Sequence, residues 1–136
     1  MEENTPALFT EFMNSVRNGE KDEQIAHAKR LFISPHHKKA LIAFEIIEKQ
    51  HPEEAAYALF KQGECYLKMD REDKAIECFE MAKEKFYDAS LVDEAIWSAT
   101  QTAFAKYRDI EIVEQFIKKY PHSESLRYAQ SILENR

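Results

Sequence analysis

Three observations predict an all-α fold, a stack of antiparallel helix hairpins. Gly and Pro are scarce, with two glycines and four prolines in 136 residues. That composition favours helices over the many turns of a β-sandwich. Apolar residues recur three and four positions apart, the spacing that gathers them on one helix face. Landmarks also repeat at a period near 34 residues. Ala40, Phe44, Ile47 and Pro52 have counterparts 35 residues on at Ala75, Phe79, Ala82 and Tyr87, and 34 further at Asp109, Val113, Phe116 and Pro121. Ala28, Gly63 and Trp97 keep the same offsets, as do Leu31, Tyr66 and Thr100. A period of this length with two helices in it is a hairpin solenoid, each hairpin burying its apolar face against the next.

The elements follow in order. Thr5 caps a first helix with Pro6 at its first position, Leu8, Phe9, Phe12, Met13 and Val16 on one face, and Gly19 at its end. A second helix covers Lys21 to Ile33. Ser34-Pro35 is a cap followed by a proline suited to a first turn, so a third helix starts there and runs to about Lys49. Pro52 opens a fourth, to about Met69. Asp70 caps a fifth, to about Phe86. A sixth runs from about Ser90 to Tyr107 and a seventh from Asp109 to Lys119, where Pro121 breaks it. Ser123 caps a last helix ending near Leu133, with Leu126, Ala129 and Ile132 inward. No stretch reads as a strand or a long linker.

The length suits one domain with a real core. It divides into an N-terminal helix (1–20), three hairpin units (21–54, 55–89 and 90–122) and a C-terminal capping helix (123–136). The net charge of −6 and the lack of a Gly–aromatic RNA-binding motif argue against nucleic acid as a partner. No apolar run is long enough to span a membrane. The acidic start "MEENTPALF" lacks the basic opening of a secretory signal, which predicts a cytoplasmic protein.

Chemistry is sparse. Cys65 and Cys78 make no disulfide framework and read as small buried hydrophobes. His36 and His37 are adjacent, so on a helix they point about 100° apart, and Lys38 and Lys39 beside them repel a cation. No metal site, no cofactor and no catalytic residue is predicted. A phosphate-cradling Gly loop is excluded by the scarcity of Gly, and no Ser–His–acid or Cys–His set is suggested. The chain reads as non-enzymatic.

Gly63 needs a reason, because Gly costs about 1 kcal/mol in a helix interior relative to Ala. A packing role supplies it. Gly63 lets the next helix approach, Ala75 and Ala82 leave room from the other side, and Tyr66 and Phe79 fill the wedge between neighbouring hairpins. "AAYALFKQGECYLKMDREDKAIECFEMAKEKF" resembles a tetratricopeptide repeat, through Leu59, Gly63 and Tyr66 on its first helix and Ala75, Phe79 and Ala82 on its second. "KALIAFEIIEKQHPE" is similar to the second helix of an earlier unit, and "VEQFIKKYPHSES" to the end of a later one. Three departures stand out. Gln62 occupies a usually apolar position, Trp97 the small-residue position and Asp109 the first Ala. Either the third unit keeps the common register with Trp97 at the crossing, or its first helix is shifted by about one turn.

The resemblance implies a right-handed superhelical array whose first helices line a concave groove, and a non-catalytic module that binds a protein or peptide there. The groove residues left after the packing positions are removed are Ile25, Lys29, Phe32 and Ile33; Tyr57, Phe60, Lys61, Glu64, Leu67 and Lys68; and Leu91, Glu94, Ala95, Ser98 and Thr102. From these, Lys29, Ile33, Tyr57, Phe60, Lys61, Glu64, Leu67, Lys68, Glu94 and Ser98 are the candidate peptide-binding set. Tyr57, Phe60 and Leu67 form an apolar stripe that solvent would not select. Either a partner peptide meets it, or the N-terminal helix or a second copy of the chain covers it. The alternative function is accordingly a self-associating scaffold that stacks through its terminal helices. Some family members clamp the terminal carboxylates of chaperones with Lys, Asn and Arg. The places that would carry that clamp read Ile25, Lys29, Phe60, Glu64, Glu94 and Ser98, with one base, so the clamp is absent.

Overall fold

The computed structural model describes residues 5–86 and 88–135. The side chain of Thr5, expected as a cap, and Tyr87, expected as a repeat landmark, lie outside the described residues. Within them the chain is all helical: α1 (Thr5–Asn18), α2 (Lys21–Ile33), α3 (His37–Gln50), a 3₁₀ turn (Pro52–Glu54), α4 (Ala55–Lys68), α5 (Glu72–Ala82), α6 (Ala89–Tyr107), α7 (Ile110–Lys119) and α8 (Leu126–Glu134). Each helix packs chiefly on its neighbours in the chain, the arrangement of a hairpin array rather than of a closed bundle.

Helix ends differ from the sequence reading where side chains take other jobs. α1 does stop at Gly19, whose φ of +70° suits a residue without a Cβ. Ser34-Pro35 closes α2 instead of opening α3. The Ser34 hydroxyl donates to the Leu31 carbonyl at 2.6 Å and accepts from the His36 N–H at 3.3 Å. Asp70 caps nothing. It adopts the left-handed conformation at φ 61°, just beyond α4, and the Arg71 N–H returns to the Tyr66 carbonyl at 2.8 Å. Pro52 opens a 3₁₀ turn rather than α4 itself. α5 ends at Ala82, and its last carbonyl takes the N–H groups of Lys85 and Phe86. Asp88 and Asp109 are side-chain caps, accepting from Leu91 and Glu111 at 3.1 and 3.0 Å. At the last helix the Ser123 hydroxyl accepts from Ser125, and α8 begins at Leu126.

Two apolar clusters fill the array and meet at α4. Phe12, Leu31, Phe44 and Ile47 belong to the first, with Ala58 and Cys65 of α4. Phe79, Phe86, Val92, Ile96, Trp97, Val113 and Phe116 belong to the second, with Leu59 and Phe60 of α4. Gly63 is the hinge of this packing. A Cβ built on it would stand 2.7 Å from Cδ1 and 2.9 Å from Cζ of Phe79, inside any real carbon contact. Phe79 thus caps the crossing of its own hairpin instead of filling a wedge between hairpins. Gln62, at the usually apolar position, is buried and donates to Glu48 at 2.8 Å and to the Phe44 carbonyl at 3.4 Å. It ties α4 back to α3 and so satisfies a polar group that would otherwise be costly.

Four buried positions of α4 keep their burial 34 residues on in α6, while Leu59 and Phe60 are replaced there by the half-buried Asp93 and the exposed Glu94. Ala58, Gln62, Gly63 and Cys65 are buried in α4, and Val92, Ile96, Trp97 and Ala99 in α6. Trp97 therefore stands at the crossing, with its ring 4.9 Å from that of Phe116.

Candidate partner-binding face

α2 and α4 lie side by side, and the contact between them is made of lysines and rings. Lys61 and Lys68 are seven residues apart on α4, two turns along one face. Both ammonium groups stand over the Phe32 ring of α2, at 4.2 and 4.0 Å from its centroid. Lys29, one turn before Phe32, reaches the other way over Tyr57 at 5.8 Å. Tyr57 in turn packs edge-on against Phe44 of α3 at 6.1 Å. Lys61 also meets Glu64 at 3.1 Å. Lys29 and Lys68 have no carboxylate within 4 Å among the described residues. Ile33 ends α2 beside this cluster and is 81% exposed.

The electrostatics match the geometry. His37 follows directly in the chain. Burial, then the Lys68 ammonium and His36, hold its imidazole below the ordinary range. Residues 24–44 carry four lysines and arginines, three histidines and no acid, in a chain of net charge −6.

The expected set therefore divides. Lys29, Tyr57, Lys61, Glu64 and Lys68 are brought together, with Ile33 at the edge and Leu67 half-buried. Phe60 is a correction. It is 7% exposed, stacks on Phe86 at 4.8 Å and lies tilted against Phe79 at 5.3 Å. It is a core residue, so Tyr57, Phe60 and Leu67 do not make an open stripe. Its cover comes from Phe79 of α5 and from Phe86 beyond that helix, whereas Phe9 and Phe12 of α1 stack with each other in the other cluster. A sequence signal existed: Phe60 lies three residues before Gly63 and shares the face that α5 crosses. Glu94 and Ser98 are elsewhere, lining a recess of about 460 Å³ with Trp97 and Gln101 of α6, Ser125 just before α8 and Tyr128 of α8. Sequence reasoning put Phe32 in the groove but not in the binding set. The i, i+7 lysines aimed at one aromatic on the neighbouring first helix were the missed signal.

The two thiols are buried in the hairpin, and burial is the main cause that pushes Cys65 up to about 12 and Cys78 up to about 11, far from a nucleophile's range. No group of three or more His, Cys, Asp and Glu side chains able to hold a metal occurs among the described residues. No described helix is long and apolar enough to cross a membrane.

Residues 57–88 match the family model of the tetratricopeptide repeat. No curated protein and no solved structure matches the chain. The matched stretch is the hairpin of α4 and α5 with Gly63 at its crossing. Over residues 57–88 the chain is similar to a tetratricopeptide repeat, and the all-helical array around that stretch is consistent with such a repeat fold.

Proposed function

We propose that the chain is a non-catalytic interaction module that receives a segment of a partner protein on the face shared by its first helices, α2 and α4 above all. Tetratricopeptide repeats generally mediate contacts between proteins. The observation that supports this face is Ile33, 81% exposed beside Phe32 and the lysines of α4. A large apolar side chain held in water next to half-buried rings favours contact with a partner. In this reading the array divides into an N-terminal helix (1–20), three hairpins (21–54, 55–89, 90–122) and a terminal capping helix (123–136), and the protein works in the cytoplasm.

Site-specific photo-crosslinking tests the proposal. A benzophenone side chain is placed at Ile33, on this face, or at Met81 of α5, also strongly exposed at 63%. The expected outcome is a heterologous adduct from position 33 and none from position 81. Adducts from position 81 alone would overturn the groove reading. Adducts between two copies of the chain would replace it by self-association through this face.

A further inference from the structure

The chemistry of the α2–α4 face specifies its occupant. We infer that it takes an acidic segment of the partner, whose carboxylates meet Lys29 and Lys68 while an apolar side chain of the segment rests on Phe32 and Ile33. The inference rests on the proposed function and adds the partner's class to it.

An ammonium group has three N–H donors. A ring face attracts it electrostatically but supplies no lone pair to those donors. Lys68 over Phe32 and Lys29 over Tyr57 are therefore positioned without being neutralised. Some lysines elsewhere are paired, Lys21 with Glu54 at 3.6 Å, Lys106 with Glu72 at 3.3 Å and Lys119 with Glu80 at 3.1 Å. On the α2–α4 face only Lys61 has such a partner, Glu64. An incoming carboxylate thus finds donors held in place by the rings and displaces no existing ion pair at Lys29 or Lys68.

The surroundings add the same sign. The start of α3 contributes Lys38 within the acid-free stretch 24–44, whereas Arg30 pairs with Glu11 of α1 at 3.7 Å and Lys39 lies over the Phe9 ring of α1. Charge of one sign on one face attracts an oppositely charged segment and speeds its encounter. Phe32 is half-buried between two ammoniums and Ile33 is open. A segment that is acidic throughout would leave both in water, so the face fits one that carries an apolar residue among its acids.

The test uses the intact chain. The probes are arrays of twelve-residue peptides with one Leu or Phe among alternating Asp and Glu, and matched peptides with Asn and Gln. Expected is binding to the acidic set only, weakening about tenfold or more between 50 and 300 mM salt. Amide shifts should centre on 29–33 and 57–68. Lys29→Glu with Lys68→Glu should abolish binding, and Lys29→Gln with Lys68→Gln should reduce it about tenfold, with thermal melting unchanged because both side chains are exposed. Equal binding of the neutral set on the same helices would overturn the acidic assignment and leave the groove standing. Acidic peptides that shift α5 or α7 instead would overturn the groove as well. Failure of both sets to bind, or binding untouched by the charge reversals, would also overturn the inference.

Discussion

The hairpins α4–α5 and α6–α7 occupy equivalent places in the period and solve the same crossing in opposite ways. In the first, Gly63 offers no side chain and the Phe79 ring lies against its Cα, with Ala75 and Ala82 fully buried alongside. In the second, 34 residues on, Trp97 stands in place of Gly63, Val113 in place of Phe79 and Phe116 in place of Ala82. Bulk has moved from the middle of the second helix to the first helix and to the end of the second. The backbones of α4 and α5 come together over more of their length than those of α6 and α7. The period keeps the positions at the crossing buried, at Gly63 and Trp97, Phe79 and Val113, and Ala82 and Phe116, but not every position: Phe60 and Ala75 are buried, and their counterparts Glu94 and Asp109 are exposed. The wider hairpin is also tied to the tighter one by polar bridges. Lys106 reaches the buried Glu72 at 3.3 Å, and Glu80 accepts from the Tyr120 hydroxyl at 2.8 Å and pairs with Lys119.

The largest effect is expected at Trp97. Removing its ring leaves Phe116 facing a void that α6 and α7, held apart by their other contacts, cannot close. Trp→Ala in a core costs about 3–5 kcal/mol, and Trp97→Ala should lower the urea midpoint accordingly. Trp97→Gly alone should do no better, because Val113 cannot fill the crossing as Phe79 does. Adding Val113→Phe and Phe116→Ala transplants the tight set, and at least half of the lost stability should return. A midpoint that stays lost would show that the wide spacing is dictated by the bridges to α5 and not by the residues at the crossing.

A smaller effect is expected at Gly63, and its sign is the informative part. Helix propensity alone would reward Gly63→Ala by about 1 kcal/mol. The added Cβ would collide with a Phe79 ring that is fully buried and also packed against Phe60. Overpacking costs about 1–3 kcal/mol, so Gly63→Ala should be mildly destabilising and Gly63→Leu clearly so, both read as urea midpoints. A rise in midpoint for Gly63→Ala would mean that the ring yields and that the tight crossing is looser than its geometry.

The contrast between the two hairpins also marks how far the sequence could be read. Gly63 with Phe79 and two alanines is a pattern whose packing can be worked out from side-chain volume alone. The eight helices follow from apolar spacing, and most ends fall within one to four residues of the expected ones. The misses occur where a side chain had two local options. Ser34 had a carbonyl behind it and an N–H ahead, and it serves the end of α2. Asp70 had a choice between capping α5 and turning left-handed, and the close approach of α4 and α5 at Gly63 goes with the tight turn. Trp97 left two registers open, because the stack on Phe116 depends on helix spacing that no single segment encodes. The candidate face was legible in its lysines and in Tyr57, but Phe60 was assigned to the wrong side. Whether an aromatic on a first helix meets solvent or the next element depends on the crossing angle, and the nearby Gly63 was the clue to it. The pairing of Lys61 and Lys68 with Phe32 joins helices about thirty residues apart and appears only once α2 and α4 are neighbours.

The smallest effect separates the hairpins by how often each opens. Burial, helped by the Glu64 carboxylate, pushes the Cys65 thiol up to about 12, so at pH 8 the closed hairpin holds very little thiolate. Alkylation must then pass through an opened state, in which the thiol has its ordinary acidity. Ala99 is the counterpart of Cys65 at the offset of 34 and is likewise fully buried. Two single-thiol proteins follow. One carries Cys78→Ala and keeps Cys65; the other carries Cys65→Ala, Cys78→Ala and Ala99→Cys. In both, the chemistry after opening is the same, so the ratio of native-state iodoacetamide rates reports the difference in opening free energy, about 1.4 kcal/mol for each factor of ten. Global stability is measured for each protein by urea unfolding and subtracted. The thiol at position 99 is expected to react several-fold faster than Cys65, because the α6–α7 pair lacks the close backbone contact and can separate without unfolding α4 and α5. Equal corrected rates would mean that the array opens as one cooperative unit, and the difference between the crossings would then be one of shape without consequence for motion.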